Sequence, residues 1–373
     1  MELSLRAELA VRGLRAAPPV RRRAGAGPSD DGHWVVTGPG SSPPGELGAR
    51  PGPLTARSAA ATLPMAPTSP FALDAHGRLT RDGVVVEDTM VEAVARPRFY
   101  DLETADGVPF DQLARLHGGD VLATTVIQTC IRYTSQETRC RFCTIEESLR
   151  AGATTQVKRP EELAEVAKAA VELDGVRQMV MTTGTSAGAD RGAKHLAKCV
   201  RAIKAAVPAL PIQVQIEPPV DLSWIDALRD AGADAIGIHI EALDEDVRER
   251  WTPGKATVSL ERYEEAWARA LAAFGRNRVS TYLLVGLGED PGELIAGAKR
   301  LIERGVYPFV VPYRPLEGSL AHADGIDAPS PAVLADVTRQ VGAALAGAGM
   351  RGRDQVAGCA ACGACSALQQ AGG

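Results

Sequence analysis

The sequence predicts an α/β protein in which a parallel sheet is covered by helices. Three observations carry that prediction. Short apolar, β-branched runs recur from residue 121 onward, amphipathic segments of period 3.6 lie between them, and the alternation repeats six times. The expected strands are 121–129, 178–185, 211–217, 235–241, 279–288 and 307–313. Right-handed crossovers turn such a series into either an open doubly wound sheet or a partial barrel of six units, and periodicity does not separate the two. In both, chemistry gathers at the C-terminal ends of the strands.

Each element has a local reason. Nine glycines and eleven prolines fall in the first 70 residues, a density that marks irregular structure, and the level beyond them is ordinary. A boundary is therefore expected within 65–95. It divides the chain into a Gly/Pro-rich extension with some β structure (1–95), a β/α core (96–320), and a final helix with a cysteine tail (321–373). The run His33-Trp34-Val35-Val36-Thr37-Gly38 reads as a strand ending in a turn. The opening stretch 1–23 is arginine-rich, but Glu2 and Glu8 set it apart from an acid-poor transit peptide. The segment 23–32 is expected either to cover the mouth of a barrel or to serve as a linker. Further on, Pro160 opens a helix with Glu161 and Glu162 in its first turn and Leu163, Val166, Ala167, Ala170 and Val171 on one face. Asp290-Pro291-Gly292-Glu293 supplies an N-cap, a first-position proline and an acidic third residue. The last helix runs from Pro331 to about Ala348. Cys199 shares an apolar face with Leu196, Val200, Ile203 and Val207 and is read as core.

Composition narrows the function classes. Of 373 residues, 41 are Lys or Arg and 46 Asp or Glu, giving −5. That balance argues against a large basic footprint for nucleic acid. No apolar run approaches the ~20 residues a membrane-spanning helix needs, so no membrane association is expected. Six of the seven cysteines fall in two tight triplets, Cys130/Cys140/Cys143 and Cys359/Cys362/Cys365. With no secretory signal in view, they read as metal or cluster ligands in a reducing compartment, the cytoplasm.

The first triplet follows the first strand. Three thiolates there can hold three irons of a [4Fe–4S] cube and leave the fourth open to another ligand. A structural zinc site is the rival reading; it wants four protein ligands, and His117 is the nearest candidate for a fourth. The polar or unusual residues of the other strand ends are Thr183–Thr185, Glu217, His239, Glu241 and the segment 286–289.

These residues resemble the radical S-adenosylmethionine (SAM) superfamily over roughly 120–320. The resemblance rests on the cysteine loop with Phe142 just before its third cysteine, and on the six-unit series. The usual spacing is three residues and then two, whereas this chain has nine and then two. The segment 182–185, with Thr183, Gly184 and Thr185, resembles the turn that receives the methionine amino group. Ile238-His239-Ile240-Glu241 is similar to the ribose-binding segment of biotin and lipoyl synthases. The run 281–289, with Gly286, Gly288 and Glu289, resembles their adenine-facing fifth strand, and Val310-Val311-Pro312-Tyr313 their sixth. Pro253-Gly254-Lys255-Ala256 is similar to a lipoyl synthase segment. The resemblance thus implies a partial (β/α)6 TIM-like barrel, a [4Fe–4S] cluster on Cys130, Cys140 and Cys143, and SAM as cofactor. Glu217 is a further candidate for contact with SAM or substrate, and Arg248 or Lys255 for the methionine carboxylate. Each of these has a plainer reading as a turn, a helix cap, a core histidine or a surface charge. Taken whole, the chain looks most like a radical SAM subfamily found in nitrilase-containing bacterial gene clusters.

The implied activity is cleavage of SAM to a 5′-deoxyadenosyl radical that abstracts hydrogen from a small-molecule substrate, with a low-potential flavodoxin- or ferredoxin-type electron donor. The tail triplet, a CxxCxxC run with small residues between the thiols, reads as an auxiliary Fe–S cluster, a zinc site completed from elsewhere, or redox thiols. Two other classes stand as alternatives: an iron–sulfur electron-transfer or scaffold protein that never cleaves SAM, and a zinc-stabilised β/α binding protein.

Overall fold

The computed structural model describes residues 1–15, 33–37 and 58–372; the segment 23–32 and the turn at Gly38 lie outside the described residues. Strands β1 (His33–Thr37), β2 (Ser58–Thr62), β3 (Phe71–Leu73), β4 (Arg78–Arg81) and β5 (Val84–Ala93) form a five-stranded sheet in the order β2-β1-β5-β4-β3. All its pairs are antiparallel. Leu9, Leu14, Trp34, Val36, Phe71 and Leu79 form a core of their own beneath it. Leu9 belongs to the helix Leu3–Arg12, which the sequence reading did not anticipate. Arg6 interrupts the apolar stripe of that helix, yet Arg6 is itself fully buried.

The second sheet carries β6 (Arg115–His117), β7 (Val121–Thr125), β8 (Gln178–Thr182), β9 (Ile212–Ile216), β10 (Ala235–Ile238), β11 (Val279–Val285) and β12 (Tyr307–Pro312), neighbours in chain order. From β7 to β12 the pairs are parallel; β6 is added antiparallel to β7. This order separates the two candidate folds. A doubly wound sheet reverses its strand order at a switch point. Here the order never reverses, so right-handed crossovers put every helix on one face and the sheet curls round the other. The architecture is an α/β half-barrel with one antiparallel edge strand. Helices Pro160–Asp174, Ala193–Ala206, Ser223–Asp230, Leu260–Phe274, Pro291–Arg304 and Pro331–Gly347 follow the successive strands.

Local chemistry sets the element ends. The Asp290 carboxylate accepts from the N–H groups of Gly292 and Glu293 at 2.8 and 3.0 Å, with Pro291 in the first helical position. Glu162 reaches back to the N–H of Arg159 at 2.9 Å. Several strands stop earlier than their apolar runs. The fifth ends at Val285 because Gly286 and Gly288 take φ of +107° and +96°, outside the extended region. The fourth ends at Ile238, although Glu241, at φ +68°, returns to bridge Leu283. Cys199 is wholly buried among the helix residues expected around it. Among the described residues, no helix is long and apolar enough to cross a membrane.

Replacing the fully buried Phe71 by alanine should destabilise the five-stranded sheet by about 3–5 kcal/mol, seen as a lower urea midpoint.

Candidate functional site

Beyond Thr125 the chain leaves the sheet and builds the cysteine loop at the C-terminal end of the barrel. The loop is anchored on the turn after β8. Gly184 donates its N–H to the Ile127 carbonyl at 2.8 Å, and Ile131 donates to the Thr185 carbonyl at 2.9 Å. The two backbones approach so closely that a Cβ on Gly184 would sit 2.0 Å from the Thr129 carbonyl oxygen. Gly184 and Thr185 therefore hold the base of the loop just before and after Cys130. The longer first spacing folds into the 3-10 turn Ile131–Thr134 and a second bend, and Cys143 donates its N–H to the Cys140 carbonyl at 3.0 Å. All three thiols are free and partly buried.

Three cations stand around these sulfurs. Arg132 acts on Cys130, Lys255 on Cys140, and Arg139 with Lys255 on Cys143. Burial pushes the Cys143 thiol up to about 11 and raises Cys140 as well. Deprotonated sulfurs in such a place need a metal or cluster to hold them as thiolates, and the cations offset part of the charge. The donor set of three sulfurs on one loop fits a cluster with one iron left for another ligand.

Buried ion pairs link the loop to the strand ends. Glu217, after β9, accepts from Arg132 at 2.5 Å and from the Thr185 hydroxyl at 3.0 Å. Glu241 holds Lys255 through both carboxylate oxygens at 2.8 and 2.7 Å, and Lys255 also donates to the His239 carbonyl at 2.9 Å. Burial works against the Lys255 charge, but the Glu241 carboxylate outweighs it and holds the ammonium above the ordinary lysine range. His239 stacks on Tyr282 with ring centroids 4.1 Å apart, and its Nδ1 accepts from the Tyr282 N–H at 3.2 Å. Burial, then Lys255, lowers the imidazole to about 3, so it is neutral, and its Nε2 has no partner.

Other expected residues are occupied elsewhere. Arg248 donates to the carbonyls of Val258 and Lys255 at 2.5 and 3.4 Å. Glu289 accepts from the N–H groups of Leu243 and Asp244 at 2.9 and 2.8 Å, ordering the turn after Glu241. A Cβ on Gly286 would press on Pro329, and one on Gly288 would meet the Arg250 guanidinium at 2.5 Å. Val311 and Pro312 pair with Leu284 and Val285 across β11 and β12. Thr183 donates to the Gly184 carbonyl at 2.9 Å, and Phe142 packs on the main core. Sequence reasoning missed Arg132, Arg139 and Tyr282. The two arginines carry a signal, since they lie inside the spacing that separates Cys130 from Cys140; Tyr282 reads as an ordinary strand residue.

The tail triplet lies at the other end of the barrel. Gly358 donates its N–H to the Gln178 side chain at 2.8 Å, and Cys359 donates to the Gln213 side chain at 3.3 Å. Both glutamines stand at the N-terminal ends of their strands. Ser366 then bonds the Val310 carbonyl on the edge strand β12 at 2.6 Å. Cys359 Sγ receives the Tyr282 hydroxyl at 2.7 Å and the Gln215 amide at 3.3 Å. Cys365 Sγ lies 3.6 Å from His117 Nε2 on the opposite edge strand β6. Burial alone would raise the Cys365 thiol, but His117, Arg314 and Thr62 together hold it at about 6. A cavity of about 190 Å³ lies against the β6–β8 side of the barrel and reaches His117, Cys359 and Cys365 of the tail site. It runs from Thr125, Gln128 and Lys158 to Gln215, Tyr282 and Cys359.

The family model for the radical SAM superfamily matches residues 137–301. Curated relatives include mitochondrial lipoyl synthases of Candida albicans (28% identical, 44% of this chain and 42% of that one) and Clavispora lusitaniae (31%, 47% and 42%). Bacteriochlorophyllide c C-7(1)-hydroxylase of Chlorobaculum limnaeum is 30% identical over 30% of this chain and 28% of its own. The chain spans less than half the length of these relatives. Among solved structures, methylornithine synthase aligns over 66% of this chain and 71% of its own at 16% identity with a TM-score of 0.45. A radical SAM methyltransferase from Sphaerobacter thermophilus aligns over 65% and 73% at 16% identity with a TM-score of 0.47.

Two changes test the site as built. Gly184→Ala should displace the Thr129 carbonyl and lower both the melting temperature and the iron bound per chain after reconstitution. Lys255→Met strands a buried carboxylate and should cost about 3–5 kcal/mol in urea unfolding, partly recovered by adding Glu241→Gln.

The superfamily is one of enzymes that use a [4Fe–4S] cluster and SAM. The family match covers 137–301, from the part of the loop that holds Cys140 and Cys143 through four of the strands, and the chain, with three free cysteines on the loop after the first parallel strand of a β/α half-barrel, is similar to this superfamily there.

Proposed function

We propose that this protein is a radical SAM enzyme acting on a small molecule held inside the half-barrel. The observation that carries the reading is the loop of three free thiols, Cys130, Cys140 and Cys143, set among Arg132, Arg139 and Lys255 at the C-terminal end of the sheet. When bound there, a [4Fe–4S] cluster and SAM supply a one-electron cleavage to methionine and a 5′-deoxyadenosyl radical that takes hydrogen from the substrate.

The chain's own groups have positioning roles. Lys255 is the cation for the methionine carboxylate, in preference to Arg248, because it stands beside Cys140 while Arg248 is spent on a backbone carbonyl. Glu241 and the neutral His239, with Nε2–H to offer, hold the ribose hydroxyls. Thr183, Gly184 and Thr185 present backbone groups to the amino end of the cofactor. Glu217, fixed by Arg132, stands ready for SAM or substrate. Phe142, Gly286, Gly288, Val311 and Pro312 form the side against the adenine, and Glu289 keeps the turn beside them in place. Substrate lies in the cavity of about 190 Å³ below, a volume suited to a small molecule, with Gln128, Lys158 and Gln215 to orient polar groups.

The remaining assignments follow from the same reading. Residues 96–320 are the catalytic core, 1–95 the extension and 321–373 the helix and tail. Cys359, Cys362 and Cys365 bind an auxiliary Fe–S cluster, a flavodoxin- or ferredoxin-type protein delivers electrons in the cytoplasm, and the nearest subfamily is that of the nitrilase-containing clusters.

Anaerobic reconstitution followed by reduction with SAM should release 5′-deoxyadenosine, followed by chromatography. Cys143→Ala should abolish release. Iron and sulfide without nucleoside from the intact protein would turn the reading to an electron-transfer scaffold, and zinc without sulfide to a binding protein.

A further inference from the structure

We propose that His117 is the fourth ligand of the tail site, so that Cys359, Cys362, Cys365 and His117 together close an iron–sulfur cluster with no iron left open. The inference rests on the reading of the tail as a cluster site and adds to it a ligand 242 positions upstream of the first tail cysteine.

Position comes first. His117 ends β6, where pairing with Val121 fixes its backbone. Its side chain is 7% exposed, and Nε2 lies 3.6 Å from Cys365 Sγ. The next residue, Gly118, has φ +59°, and a Cβ there would lie 2.9 Å from Cys362 Sγ. The turn thus brings the strand end against two tail sulfurs at once, at a point where a side chain would be in the way. The imidazole is steadied edge-on by His33, with centroids 4.7 Å apart, and among the described residues its Nδ1 has no hydrogen-bond partner. A buried imidazole with one unpartnered nitrogen, and sulfur beside the other, is poorly explained as a packing residue.

Charge is the second, independent observation. Arg6 is fully buried, and two of its three nitrogens, Nε and Nη1, have no partner. The third donates to the carbonyl of Ala364, next to Cys365, at 2.6 Å. Thr62 receives Arg314 on its carbonyl at 2.9 Å, donates its own N–H to Ala364 at 2.8 Å, and has its hydroxyl 3.5 Å from Cys365 Sγ. A buried guanidinium with unpaired nitrogens is costly unless an anion lies close by. Three thiolates round an iron–sulfur core are that anion, and both arginines lie within electrostatic reach of Cys365.

The spacing and the surroundings favour a cluster over one zinc ion. Tight CxxCxxC runs wrap Fe–S cores, and imidazole replaces thiolate on iron in some of them. Cys359 already receives hydrogen bonds from Tyr282 and Gln215, the kind of contact to sulfur that sets a cluster's potential.

The experiment uses the full chain with Cys130, Cys140 and Cys143 all replaced by alanine, so that only the tail site is loaded. It is reconstituted anaerobically with iron and sulfide, reduced, and studied by pulsed electron paramagnetic resonance with and without 15N-histidine. The expected result is about four irons per chain and a nitrogen coupling that changes with the label. In the same background His117→Ala should lose the coupling, and His117→Cys should regain full iron with a shifted midpoint potential. Four irons without a histidine coupling, or a coupling that survives His117→Ala, overturns His117 as ligand and leaves the cluster standing. Absence of iron, or zinc without sulfide, overturns the cluster reading beneath it. The label marks all six histidines, so if His117→Ala fails to fold, His117→Cys carries the assignment: full iron with the nitrogen coupling lost supports His117, and a coupling that survives overturns it.

Discussion

Parallel strands laid down in chain order curl without closing, and much of this molecule follows from that one constraint. The sheet runs from β6 to β12 with no return to the start, so two edges and a concave inner face need partners. Edge strands with unpaired backbone groups are a liability in any sheet. Here β12 meets Ser366 through the Val310 carbonyl, and β6 meets Cys365 through His117. The tail therefore covers the space between the edges as it crosses the N-terminal ends of β8 and β9. The five-stranded sheet and the first helix hold the tail from outside, through Thr62 and Arg6.

The inner face of the barrel is polar because both of its ends are. Gln213, Gln215 and Glu217 alternate along β9 and its exit, serving the tail, the tail and the cysteine loop in turn. On the facing strands, Tyr282 joins the two centres: its hydroxyl reaches Cys359 while its ring and backbone position His239. Such a chain of hydrogen-bonded and stacked groups is rigid when fully satisfied.

Buried charge marks the two centres in different ways. At the loop, Lys255 and Arg132 have carboxylate partners in Glu241 and Glu217, so their charges are matched before anything binds. At the tail, Arg6, from the arginine-rich opening stretch, donates to a carbonyl, that of Ala364, and has no carboxylate partner among the described residues.

Much of the half-barrel was legible because its causes are local. Apolar runs, amphipathic faces and the Asp290-Pro291 cap act over a few residues, and each appears where its pattern indicates. The cysteine loop was legible for the same reason, its ligands being grouped in sequence. Strand ends were less so, since Gly286 or Glu241 can leave the extended region without altering the apolar run that precedes them. The helix Leu3–Arg12 was missed because its burial depends on packing against the helix Pro331–Gly347 and the tail.

By itself the sequence determined the α/β class, the number of repeats, the triplets and the strand that each polar residue follows, all of them properties of short windows. Tertiary structure decided between open sheet and half-barrel, because strand order is a pairing between distant segments. It also decided which cation faces the loop, Lys255 rather than Arg248, since both are near in sequence and only the turn at 253–256 separates them. And it brought His117 to the tail rather than to the loop nearer in sequence, because the curl of an open sheet and the tail laid across its edges, not chain distance, set what an edge strand meets.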